Sequence, residues 1–254
     1  MSKKHKISKS RKKELENEVT ETVRKFKEDY PHIKSPIENS YLTIENMGFF
    51  IIGKKLDNDI SGFHLNIGDY KCIFINRNHH YARQNQSLWH EIYHWYTNDI
   101  GHISSKNAID YEEMEYKADN FASKILIDRE DLKQKIFLSN IKIKYISREQ
   151  IVQMQNYYHA SYMNVARALY EVYPNEFNPN RMNLGQRKKH EKLIEFCKSK
   201  DLDYSIYNIP DSDYITGSFI KNLKQNYIDE KITLDYLEDV LNLIDEELNI
   251  IEWY

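Results

Sequence analysis

The stretch His90-Glu91-Ile92-Tyr93-His94 decides how this chain is read. It lies in a helical pattern running from Tyr81 to Thr97, with Leu88, Ile92 and Trp95 among the apolar positions. Residues four apart share a helix face, so His90 and His94 can direct two imidazoles at one metal ion while Glu91 sits beside them. Zinc accepts neutral imidazole nitrogen and carboxylate oxygen, and a catalytic zinc site takes three protein ligands and leaves the fourth position to water. Glu91 is placed to take that water's proton, which points to a hydrolase, and peptide hydrolysis is the commonest use of such a helix. The pattern is short enough for chance to supply it, so its surroundings have to decide.

A second helical pattern, Tyr111 to Ile127, follows closely and is acidic at its start. Met114, Ala118, Phe121, Ala122 and Ile125 mark its buried stripe. Glu115 lies next to that stripe and Asp119 one turn further along the same face. Glu115 is thus the expected third ligand, with Asp119 accepting a hydrogen bond from a ligand histidine and fixing its ring. Glu112, one turn earlier, is the rival ligand; Glu112 and Glu113 are otherwise read as a solvated helix face.

The rest of the chain sets the frame. Its 254 residues are 41% hydrophobic and 30% charged, with 7 glycines and 5 prolines, which predicts an α+β fold that is mostly helix around a small sheet. A net charge of -3 excludes a global electrostatic drive toward nucleic acid, and direct nucleic-acid binding is not expected. Cys72 and Cys197 are too few for a disulfide framework, which suits a reducing compartment. No apolar run suggests a signal peptide or a membrane span, so a cytoplasmic location without membrane contact is expected.

Three regions are expected along the chain. Residues 1–30 form a basic leader, read as a solvated tail, and a helix striped by Leu15, Val19, Val23 and Phe26. Residues 31–174 form the metal domain. Within it Phe49-Phe50-Ile51-Ile52, Ile60 to Asn66 and Lys71 to Asn76 are strand candidates, the last two joined as a hairpin through Gly68 and Asp69, giving a three-stranded antiparallel sheet. Residues 147–172 read as a helix-turn-helix, opened by Ser147 with Gln150 as a capping box and reopened at Ser161. Its second helix offers only Arg167 as a cation, which favours packing or substrate docking over reading DNA. Residues 175–254 form a helical C-terminal region with a basic segment, Arg187 to Lys200. Its final amphipathic helix carries Leu234, Leu237, Val240, Leu241 and Ile244 and is followed by the aromatic end Trp253-Tyr254.

The paired patterns resemble the ImmA/IrrE family of metallopeptidases, in which the zinc helix is followed by a Glu-x-x-Ala-Asn/Asp-x-Phe-Ala segment. Here that segment reads Glu115-Tyr116-Lys117-Ala118-Asp119-Asn120-Phe121-Ala122, and the lead-in residues Ser61-Gly62, Ile73-Phe74-Ile75-Asn76 and Arg83 also look like the family. The resemblance covers roughly Pro36 to Val172. It implies a zincin-like zinc metalloendopeptidase with a glutamate third ligand, acting on a helix-turn-helix repressor encoded on a phage or mobile element. The chain departs from the family pattern at Trp89, where a small residue is usual, at Ile92-Tyr93 in place of Leu-Gly, and at Ile125-Leu126-Ile127-Asp128 in place of Leu-Leu-Met-Pro.

An oxyanion or substrate contact is not singled out: His79, His80, Tyr81, Arg83 and Tyr93 all qualify. Two other readings share the site. A zinc-containing regulator would grip a repressor without cutting it, and a toxin-like hydrolase would act on a substrate other than protein. The intact Glu91 favours cleavage over mere gripping.

Overall fold

The apolar run at Phe49 forms an inner strand, not an edge. In a computed structural model, which describes residues 7–67, 70–98 and 108–244, the strands are β1 (Phe49–Lys54), β2 (Gly62–Ile67), β3 (Tyr70–Asn76) and β4 (Tyr214–Ile215). The helices are α1 (Lys9–Asp29), α2 (Ser40–Asn46), α3 (Tyr81–Tyr96), α4 (Ala108–Leu126), α5 (Arg129–Leu138), α6 (Arg148–Tyr157), α7 (Tyr162–Val172), α8 (His190–Ser199), α9 (Gly217–Ile228) and α10 (Leu234–Ile244). The chain is mostly helical, as its scarcity of glycine and proline predicts. No described helix is long and apolar enough to cross a membrane. Residues 1–6 of the leader, Gly68-Asp69 of the hairpin and the end Trp253-Tyr254 lie outside the described residues.

The sheet corrects the expected three-stranded antiparallel arrangement: it is four-stranded and mixed, in the order β2-β3-β1-β4. β2 pairs antiparallel with β3, as a hairpin would, but β1 lies on the far side of β3 and parallel to it, with Ile51 opposite Ile73. β4, contributed from beyond residue 174, closes the other edge of β1 in antiparallel register, Ile52 opposite Ile215. A continuous apolar run suits a strand with neighbours on both sides.

Asn76 explains the crossover. Its fully buried side chain donates to the carbonyls of Leu56, Asp57 and Ile60 and accepts from the amides of Leu56 and Asn78. That one amide carries the hydrogen bonds of a loop that passes over the end of β3 and delivers β2 to its outer edge. Gly53 fits the other side of the sheet, since a Cβ there would lie 2.9 Å from both Arg77 Cδ and Tyr214 Cβ. Thr216 then fastens β4, its hydroxyl accepting from the Ile51 amide at 2.6 Å.

The helices bury the faces their periodicity predicts. Leu15, Val19, Val23 and Phe26 of α1 are buried, as are Met114, Ala118, Phe121, Ala122 and Ile125 of α4. The capping box of α6 is present, with Ser147 and Gln150 bonding each other's backbone amides, and Ser161 caps α7. Phe177, Leu193, Cys197, Ile206 and Tyr207 join the same core as α3 and α4, whereas Leu223, Leu237 and Leu241 form a small separate cluster. Both cysteines are buried free thiols.

Where the family pattern has proline after the second helix, Asp128 turns the chain instead. Its Oδ1 accepts from the amides of Glu130 and Asp131 at 2.7 and 2.8 Å, capping α5, and its Oδ2 pairs with Lys27 of α1. Burial raises the Asp128 pKa, but the Lys27 ammonium and the two amides outweigh it and hold the carboxyl below its ordinary value. Asp128→Asn, which keeps a capping oxygen and loses the charge, is expected to lower stability by about 1 kcal/mol at neutral pH. A depressed folded-state pKa contributes stability above the unfolded carboxylate range and loses it as pH falls through the folded value. Denaturation curves of the two proteins should therefore converge on acidification.

Candidate metal centre

Helix α3 has two chemically different faces. Leu88, Trp89, Ile92 and Tyr93 are buried in the core, while His90, Glu91 and His94 line a cleft of about 630 Å³ under β2 and the start of α4. One turn of helix brings the two imidazoles together, their Nε2 atoms 3.0 Å apart. Glu115 of α4 closes the triangle, with carboxylate oxygens 3.4 Å from His90 Nε2 and 3.6 Å from His94 Nε2.

These three donors lie within 4.8 Å of one another. An ion bonded at about 2.0–2.1 Å to atoms at tetrahedral angles separates them by about 3.3 Å. The imidazole nitrogens are 3.0 Å apart, one Glu115 oxygen lies 3.4 Å from His90 and the other 3.6 Å from His94, so the three side chains stand close enough to surround a zinc-sized ion, and two imidazoles with one carboxylate are a donor set zinc accepts. Asp119 Oδ1 lies 3.0 Å from His90 Nδ1, so it can accept that ring's outer proton and turn Nε2 toward the triangle. His94 Nδ1 is buried without a hydrogen-bond partner among the described residues.

Electrostatics divide the pair. Burial disfavours a charged His90, but the Asp119 and Glu115 carboxylates outweigh it and push its pKa up to about 10. Burial, reinforced by the neighbouring His90 charge, pushes His94 down. Without metal, one proton is thus held on His90, and a metal has to displace it.

Residues 45–170 match the model of the peptidase family described as IrrE N-terminal-like domain. The chain carries a metallopeptidase domain of the ImmA/IrrE family. Comparison with curated proteins and with solved structures gives no match. The matched ImmA/IrrE segment runs from the end of α2 into α7 and includes all the cleft residues named above.

The bulky departures from the family pattern point away from the cleft. Trp89 is fully buried and its Nε1 donates to Ser40 Oγ at 3.0 Å. Tyr93 is buried between Phe121 and His94, with ring centroids 5.4 and 5.7 Å away, so its bulk packs behind the His94 imidazole. Tyr81 borders another recess beside Arg77. His79 and His80 line a hollow next to the cleft, and Arg83 lines both, donating to Ser61 Oγ at 2.9 Å. Glu113 departs from the expected solvated face, because Arg11 of α1 grips its carboxylate with bonds of 2.9 and 2.7 Å.

His64 and Tyr111 line the cleft and were not among the expected site residues. His64 of β2 places Nδ1 3.0 Å from Glu91 Oε2 and faces the ring of His94. Nothing in a strand pattern announces this partner, since it depends on where β2 lies. Gly62 lets the strand sit there, as a Cβ would meet the Phe74 carbonyl at 2.8 Å. Tyr111 lines the cleft one turn before Glu115, and that spacing was an available signal.

Zinc analysis of the purified protein is expected to show stoichiometric metal that is lost in Glu115→Ala and kept in Glu112→Ala. Asp119→Ala should weaken zinc binding by about 10–100-fold. Zinc uptake near neutral pH should also release a proton from His90, measurable as a binding enthalpy that varies with the ionisation enthalpy of the buffer.

Proposed function

We propose that the chain is a zinc-dependent endopeptidase whose ligands are His90, His94 and Glu115 and whose general base is Glu91. The observation that carries this reading is the convergence of three ligand atoms with a buried carboxylate adjoining them in one cleft. Zinc bound there would supply a Lewis acid that polarises a carbonyl and acidifies water.

The protein's own groups divide the remaining work. Glu91, largely enclosed, takes a proton from the attacking water and returns it to the leaving amine. His64 holds Oε2 and so leaves the other carboxylate oxygen for that exchange. Burial, together with the Glu115 and Glu91 charges, raises the Tyr111 pKa, so its phenol stays protonated and can donate to the developing oxyanion. Among the described strands β2 has an unpaired outer edge along the cleft, which suits an extended polypeptide.

The repressor substrate follows from the ImmA/IrrE resemblance: a helix-turn-helix repressor of the same mobile element, cut to relieve repression. Incubation with that repressor should yield new fragments on a gel. Glu91→Gln should abolish them and leave zinc content nearly unchanged; full activity in that variant, or a stable complex without fragments from the unaltered protein, would refute the peptidase reading and favour a gripping regulator. His64→Phe should lower kcat about tenfold with a small change in KM, as expected for a residue that positions the base.

A further inference from the structure

Beside the metal cleft lies a second recess of about 820 Å³, walled by the starts of α3 and α7 and by the 3-10 turns that precede α8. Arg83, Arg167 and Arg187 line it, and no aspartate or glutamate does. Among the described residues none of these arginines has a carboxylate partner; Arg83 donates instead to the neutral Ser61 hydroxyl. Arg83 is half-buried, while Arg167 and Arg187 stand exposed at the rim. Burial lowers the Arg83 pKa, and the charge of Arg187 lowers it further. Burial above all, then the neighbouring His190 and Arg83, push His80 down to about 4, so that ring is neutral.

The backbone adds to the field. Ser161, Met163 and Asn164, at the cap and first turn of α7, all border the recess, so the positive end of an 11-residue helix meets it. Unpaired guanidinium groups facing one hollow repel each other, and an oxyanion between them relieves that repulsion while accepting paired N–H bonds.

The position of the recess points to the source of the oxyanion. Arg83 and Gln86 line both the recess and the metal cleft. Asn58 lines the recess, and the next residues, Asp59 and Ile60, line the cleft. A chain lying along the edge of β2 would pass from one into the other. The two ends of that path carry opposite charge: Glu91, Glu115 and Asp119 around the metal centre, and the arginines in the recess. The side chain of Gln86 spans the wall, donating to the Asp119 carbonyl at 2.9 Å and accepting from Asn164 of α7 at 2.8 Å.

We propose that this recess is a specificity subsite for an acidic side chain of the polypeptide held in the metal cleft. The substrate class is thereby a protein segment with aspartate or glutamate a few residues from the cut bond. This rests on the peptidase reading for its orientation but predicts binding that needs no cleavage.

The test uses the full chain carrying Glu91→Gln and loaded with zinc, with fluorescein-labelled decaglutamate and decaglutamine as probes in fluorescence anisotropy. Decaglutamate should bind at least tenfold more tightly, and the preference should shrink as salt rises. Arg167→Ala and Arg187→Ala, both at exposed positions, should each weaken it about tenfold, whereas Lys133→Ala on α5 should leave it unchanged. The same arginine dependence should appear in chelator-treated protein. Equal binding of the two peptides, or full affinity in the double arginine variant, overturns the proposal. So does stoichiometric binding of pyrophosphate without binding of decaglutamate, which would assign the recess to a small anion. A random peptide library offered to the unaltered zinc-loaded chain separates the two readings. An absence of cleavage counts against the peptidase alone, and cleavage without acidic preference counts against the subsite.

Discussion

The packing of α3 against α4 is the contact on which the candidate metal centre depends. His90 and His94 are neighbours on one helix by geometry, but Glu115 and Asp119 reach them only because Phe121 and Ala122 bury against the apolar face of α3. Phe26 of α1 sits against both Trp89 and Phe121, with ring centroids 6.1 and 5.3 Å away, so α1 clamps the two helices together. Large rings buried this way each contribute about 2–3 kcal/mol. The convergence of His90, His94 and Glu115 is therefore a by-product of core packing nearby, and a cavity under Phe121 would be felt as altered donor spacing.

The sheet performs a different task. Its interior strands are ordinary apolar runs, and only the outermost one, β2, meets the cleft. Asn76 determines that placement by taking up the polar groups of the crossover loop, leaving Gly62 and His64 over Glu91. Closure of the opposite edge by β4 ties the segment beyond α8 to the same sheet and leaves β2 as the edge that faces the cleft.

Charge is segregated more sharply than a net value of -3 suggests. The carboxylates gather around His90 and His94, where one imidazole carries a proton that a metal would replace. The arginines gather across the shared wall formed by Arg83 and Gln86. Between the two poles runs a path shaped by an open strand edge, and a polypeptide lying there would be sorted by direction as well as by composition.

Much of this was legible in the residues. The 3.6-residue period exposed the buried stripes of α1 and α4, and the spacing of His90, His94, Glu115 and Asp119 within two amphipathic helices picked out donors that converge once those stripes are buried. Helical phase is local, so it can be read from a sequence. The capping box at Ser147 is local in the same way. Strand partnership is not: nothing along Phe49 to Lys54 says that β3 lies parallel on one side and Tyr214-Ile215 antiparallel on the other. A period of two tells which face is buried and leaves the neighbour open. For the same reason His64 and the arginine recess escaped notice, since each joins residues far apart in sequence that come together only through the crossover at Asn76 and the docking of α7 beside α3. The sequence by itself determined the helices and placed His90, His94 and Glu115 on the faces that meet. The tertiary structure alone decided what faces Glu91, where the cleft leads and which charges await there, because those depend on contacts between elements whose relative placement no local pattern encodes.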